Sequence, residues 1–291
     1  MCIRDRIHAA SLTQPATYHG GMHYRHAYHA GNFADVWKHC VLVAVLAAMN
    51  RKTTPWSFVD AHAGAGLYAL DEAEAGRTGE WRDGIGRLLE AADPPAVVAD
   101  LLALVRAAGD RRYPGSPWLA QRMARPGDEL IAVESQADIA AELQRHLGSG
   151  ITVQQRDGYR VDALLPPRHR RGLVLVDPPF ERPDELRAVS DLLGRCAARF
   201  GHGVHMLWYA RKNAVECDRM LRRVARAFGK PVWHAMLDHG EVGAGRMHAC
   251  GVAVVNPPYG LDSQLSEPLG WMAAKLARGP RATHRLEWIE G

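Results

Sequence analysis

The sequence predicts an α/β fold: a mostly parallel, doubly wound sheet of seven strands that ends in an antiparallel hairpin and carries a small helical insertion. Three observations predict it. Short apolar runs alternate with helical stretches along most of the chain, several of those runs close on an acid or a small-residue turn, and the last two runs have no helix between them. Strands alternating with helices build a parallel sheet covered on both faces. Two strands joined without a helix pair antiparallel instead.

The first 21 residues, MCIRDRIHAASLTQPATYHGG, show neither helical nor strand period. They lack the continuous apolar segment of a secretory signal. They are read as a disordered tail or a mis-assigned start, with Met22 as the functional beginning. NFADVWKHCVLVAVLAAM, residues 32–49, is a helix with Asn32 as its N-cap. WSFVDAHAGAG is a short apolar strand that breaks into a Gly/Ala loop. Residues 72–116 turn helical in GEWRDGIGRLLEAA and PPAVVADLLALVRAAG, more than one crossover needs, and are read as an inserted helical subdomain. Residues 22–71 and 117–291 make the main domain. YPGSPWLAQRMA turns into the next helix, followed by LIAVES (strand), ADIAAELQRHLG (helix), ITVQQRDG (strand), LVLVDPPF (strand) and DELRAVSDLLGRCAARF (helix). GVHMLWYA, NAVECDRMLRRVARAFG, VWHAMLDH and ACGVAVVNPP complete the run as strand, helix, strand and strand. This is the plan of the Rossmann-like methyltransferases.

Bulk properties narrow the class. The 291 residues are 47% hydrophobic and 23% charged, with a formal charge of +4, enough chain for one large domain. The excess of positive charge is small, but Arg168, Arg170 and Arg171 cluster in PPRHRRG. Arg211, Lys212, Arg219, Arg222, Arg223 and Arg226 fall on or beside one helix. Both groups are either phosphate contacts or ordinary solvated faces. Five scattered cysteines without a CxxC pair fit reduced thiols in a cytoplasm. No continuous apolar run reaches the roughly 18 residues that span a membrane.

In open α/β sheets, ligands sit at the carboxyl ends of the strands. There the sequence puts Asp60-Ala61-His62-Ala63-Gly64-Ala65-Gly66, Glu134, Asp157-Gly158 and Asp177-Pro178-Pro179-Phe180. Small residues such as Gly64 let backbone approach a ligand. Glu134 is placed to accept ribose hydroxyls and Asp157 an adenine amino group, although an acid closing a strand also serves as a helix cap. With neither a GxxxxGK loop nor a GxGxxG turn after the first strand, S-adenosylmethionine is favoured over a nucleotide triphosphate or a dinucleotide.

Asp177-Pro178-Pro179-Phe180 suits amino-group methylation. An adenine amine is a poor nucleophile because its lone pair is delocalised into the ring. A carboxylate and the Pro178 carbonyl, each accepting one N–H, draw the nitrogen towards tetrahedral geometry. Consecutive prolines fix that backbone. Phe180 offers a face to an extruded base, worth roughly 1–3 kcal/mol. Asn256-Pro257-Pro258-Tyr259 repeats the pattern, but it follows an antiparallel strand and points to the opposite edge. It is expected to be a proline stop after an edge-region strand, with Tyr259 packed.

Before the first strand, MHYRHAYHAGNFADVWKH holds Tyr24, His26, His29, Lys38 and His39. No Cys or carboxylate stands at ligand spacing, so no metal is expected. His39 and His62 are candidate partners for the methionine part of the cofactor, and Lys38 for its carboxylate.

YRHAYHAGNFADVWKH, DAHAGAGLY, YPGSP, RRGLVLVDPPF and NPPY together resemble the bacterial 23S rRNA adenine-N6-methyltransferases of the RlmJ family, from about Met22 to the C-terminus. The resemblance implies a Rossmann-like domain with a helical insertion, S-adenosylmethionine as cofactor, and 23S rRNA, before assembly is complete, as substrate. The chain is expected to be a cytoplasmic monomer. The resemblance carries the catalytic acid onto Asp177 and cofactor contacts onto His39, His62, Ser116, Glu134, Asp157 and Gly158. It carries an RNA contact onto Tyr24. The family commonly has Tyr where Phe180 stands, so stacking survives here but a hydroxyl contact does not. The alternatives are a methyltransferase for DNA adenine or a protein glutamine amide, and an inactive RNA-binding assembly factor.

Overall fold

The computed structural model describes residues 28–71, 78–241 and 247–291. The predicted tail, Tyr24 and His26 lie outside them. The main sheet has eight strands rather than seven. Ser57–Asp60 (β1), Glu129–Glu134 (β4), Thr152–Gln155 (β5), Gly172–Val176 (β6) and Val204–Ala210 (β7) run parallel, in the order β7-β6-β1-β4-β5. Val232–Asp238 (β8) and Ala249–Val255 (β9) pair antiparallel as expected, with β9 inserted between β8 and β7. The eighth strand is Thr283–Ile289 (β10), which adds antiparallel to the outside of β8. A separate two-stranded ribbon, Leu67–Ala69 (β2) with Arg112–Pro114 (β3), brackets the helical matter between β1 and β4.

Side chains of one strand alternate between two cores, as the pleat requires. Leu173 and Leu175 of β6 join the layer built on Phe33–Asn50 (α1), while Val174 and Val176 join the layer on the other face. The first layer also holds Ala96–Ala107 (α2), Ser116–Met123 (α3), Ala137–Leu147 (α4) and Leu261–Leu276 (α7); the second holds Glu185–Phe200 (α5) and Ala214–Phe228 (α6). Ile85, Leu88, Val98, Leu101 and Val105, from the segment between β2 and β3, are buried in the same cluster as α1.

The α1 helix starts where expected. Asn32 Oδ1 accepts from Ala34 N and Asp35 N, both at 3.0 Å, which satisfies two of the donors a helix start leaves open. This helix is long and apolar enough to cross a membrane by length and composition, which counting unbroken apolar runs overlooks. Most of it is buried inside the fold, as a central core helix must be.

Two expectations about the second Pro-Pro motif need correcting. β9 is an interior strand, buried throughout, and Tyr259 is 98% exposed rather than packed. The position of the motif is as expected: Val255 pairs with His205 at the start of β7, so Asn256 sits at the edge opposite Asp177. There Asn256 Nδ2 donates to the carbonyls of Gly201 and Gly203, and Lys230 Nζ donates to Asn256 Oδ1. The amide stitches a turn.

Candidate active site

From β1 the chain moves outward through α3 and α4 on one face; from β6 it moves outward through α5 and α6 on the other. Strand order therefore reverses between β1 and β6, which is where open α/β sheets bind ligands. A cavity of about 1030 Å³ opens there. Of the residues predicted from sequence, Lys38 and His39 reach it from α1, His62 and Gly64 from the loop after β1, and Ser116 from the start of α3. Glu134 reaches it from the end of β4, Gly158 from the turn after β5, and Asp177, Pro178 and Phe180 from the end of β6. Asp157 is not part of its lining; its Oδ1 accepts from Tyr159 N at 2.9 Å and caps the short helical turn that follows.

The centre of the site is ionic. Lys38 Nζ donates to Asp35 Oδ1 at 2.8 Å and to Asp177 Oδ2. Burial alone would lower the Lys38 pKa, but the Asp177 and Asp35 carboxylates outweigh it and hold the ammonium well above its ordinary value. Asp60 lies beneath, fully buried, accepting from Ser116 Oγ at 2.6 Å and from His62 N at 3.2 Å. Burial raises its carboxyl to about 7 against those bonds. His62 is lowered to about 4 by burial, so it is neutral. Its Nδ1 accepts from Asp177 N at 3.3 Å, which places a proton on Nε2, and Nε2 is buried with no partner among the described residues. His39 Nδ1 meets Tyr113 Oη at 2.8 Å.

The small residues are there for contact. A Cβ on Gly158 would stand 2.1 Å from the Ala61 carbonyl and 2.7 Å from His62 Nε2, so only glycine lets the turn after β5 close on the loop after β1. Glu134 is held in place by Gly64 N at 3.1 Å on one oxygen and Gln136 N at 2.9 Å on the other. Phe180 has φ +54 and its ring stands edge-on to Trp208 at 5.7 Å.

Sequence reasoning gave no role to Asp35, placed Asp60 in the ligand-facing loop without a task, and read Lys212 only as a candidate phosphate contact; all three belong to the site. Asp35 carried a signal, being three residues before Lys38 on one helix face. Lys212 was grouped with the arginines of α6, yet it turns into the cavity and donates to the Phe180 carbonyl at 3.0 Å. The other basic group lies elsewhere. Arg168–Arg171 precede β6, at the edge away from the cavity, and Arg171 is committed to the carbonyls of Met49 and Thr54. Among the described residues no three His, Cys, Asp or Glu side chains gather as metal ligands.

A parallel sheet with this reversal and an antiparallel β8–β9 pair is the Rossmann-like fold on which methyltransferases are built. Residues 53–290 match the family model described as ribosomal RNA large subunit methyltransferase D, RlmJ. The chain belongs to that family. It is 34% identical to ribosomal RNA large subunit methyltransferase J of Escherichia coli strain K12 and 31% identical to its namesake from Haemophilus influenzae. Each match covers 91% of this chain and 98% of the relative. Among solved structures, a Legionella pneumophila protein of the DUF519 family superposes with a TM-score of 0.81 at 27% identity, covering 89% of this chain and 98% of that one.

Proposed function

We propose that this chain methylates the N6 amino group of one adenine in 23S rRNA, with S-adenosylmethionine as donor. The observation that carries the reading is the position of Asp177-Pro178-Pro179-Phe180: at the carboxyl end of β6, beside the reversal, opening on the same cavity as Glu134, His62 and Gly64. Family membership supplies the substrate class.

The residues fit the cofactor. Glu134, fixed by two backbone donors, keeps lone pairs for a ribose diol. The unpartnered, buried Nε2–H of His62 offers a donor to a carboxylate or carbonyl of the methionine part. Ser116 and Gly158 bring the edges of their turns to the cavity. When bound, the cofactor supplies an already activated methyl group, so catalysis falls to positioning and charge placement. Lys38 anchors one oxygen of Asp177; in this reading the other accepts an N–H of the adenine amine, and the Pro178 carbonyl accepts the second. In this reading Phe180, which lines the cavity, offers its ring for the flipped base to stack on. Tyr24 contacts the RNA.

The test compares wild type with Asp177→Asn on unmodified 23S rRNA, DNA and a glutamine-bearing protein substrate side by side. Asn keeps the shape beside Lys38. The expected result is N6-methyladenine in the rRNA alone, lost by about 10²–10⁴-fold in the variant, with cofactor affinity by calorimetry largely retained. Full turnover by Asp177→Asn, or product only in DNA or protein, overturns the assignment.

A further inference from the structure

Phe180 is a bulky residue in the left-handed region, φ +54, which L side chains other than Asn and Asp seldom adopt. Such a conformation persists only where the surroundings over-determine it, and it collects at working sites. Two contacts do so here. The ring is 7% exposed and set edge-on to Trp208 of β7. The carbonyl accepts the Lys212 ammonium at 3.0 Å. Trp208 and Lys212 belong to one strand and the turn that ends it, so β7 grips Phe180 from the ring and from the backbone. Lys212 is exposed at the rim of the cavity; the Lys–carbonyl bond is therefore made at the mouth, where the target base must pass.

We infer that Lys212 is a positioning residue for methyl transfer: its ammonium holds the Phe180 carbonyl so that the Asp177–Phe180 turn keeps the shape that presents its acceptors and ring to the amine. The inference rests on the proposed adenine methylation and deepens it. Lys212 itself touches no reacting atom. With the bond gone, the left-handed residue relaxes and the two prolines before it move as one stiff unit, so the loss falls on the transfer step rather than on cofactor binding.

The full chain is assayed as wild type, Lys212→Met and Lys212→Arg with 23S rRNA. Met keeps the length of the side chain and removes the donor. Lys212→Met is expected to lower kcat about tenfold, the scale for removing a charge-assisted bond that orients reacting groups. KM for rRNA, cofactor affinity and the salt slope of RNA binding should stay at wild-type values. Lys212→Arg should recover most of kcat. Unchanged kcat in Lys212→Met overturns the inference. So does a weaker RNA affinity with a shallower salt slope, which would make Lys212 a phosphate contact. A wild type that methylates some other base of the rRNA would overturn the proposed adenine specificity instead, while the same kcat ratio, read on that product, still decides the role of Lys212.

Discussion

Asp60 shows how one buried carboxyl links the site to pH. Burial lifts it from 3.8 to about 7. Between those values the unfolded chain carries the ionised carboxylate and the folded chain the protonated acid, so raising the pH through that window removes folded stability, on the order of 4 kcal/mol. His62 works in the opposite direction. Burial lowers it from 6.5 to about 4, so acidification between those values charges the unfolded imidazole first and favours unfolding. The two largely offset in the wild type. Asp60→Asn, which keeps an acceptor for Ser116 and His62, removes one side of the balance. Its stability relative to wild type should rise between about pH 4 and about pH 8, checked by urea unfolding at several pH values. Equal pH slopes for the two proteins would show that Asp60 ionises freely in the fold.

At the scale of elements, α1 carries both structure and chemistry. Its cap, Asn32, also donates from Nδ2 to Glu80 Oε2 at 3.0 Å, tying the helix start to the segment between β2 and β3. Asn32→Ala removes both, and the expected cost is about 1–2 kcal/mol, read as a lower midpoint in chemical denaturation with an unchanged slope. A cost near zero would mean water replaces the side chain at the cap. The cap was legible because Asn stands directly before an apolar run of helical length. Asp60, Glu134 and Asp177 were legible for a similar reason, since each stands at the end of a mostly buried apolar strand, whereas the strand before Asp157 has no buried residue. Other elements gave no such signal. The β10 strand is an edge strand whose burial is partial at best, with Trp288 47% exposed, so THRLEWI has no buried face to pattern. The α7 helix contains Pro268 and Gly270, both marks of a break. The β2–β3 ribbon has three residues a side, too few to show a period. The left-handed Phe180 was illegible because sequence signals that conformation through Gly or Asn; here tertiary contacts with Trp208 and Lys212 impose it.

At the scale of the whole molecule, the sheet separates two edges with different tasks. The carboxyl edge holds Asp177, Glu134 and the cavity; the other holds Asn256 and the Arg168–Arg171 turn. Under the proposed function, a base that reaches Asp177 would bring its flanking phosphates to the carboxyl edge. Charge clustering alone made Arg168 and Arg170 look like phosphate contacts, because a one-dimensional sequence does not show which end of a strand faces the ligand. Each phosphate neutralised by the protein contributes about 0.7–0.9 to the slope of log K against log salt. Replacing Arg168 and Arg170 together by Ala should therefore leave that slope, and the rRNA affinity at any one salt concentration, at wild-type values when binding is titrated across a salt series. A slope shallower by about 1.5 or more would mean that the RNA wraps past the carboxyl edge to the far side of the sheet, and that the footprint extends well beyond the cavity that holds the target base.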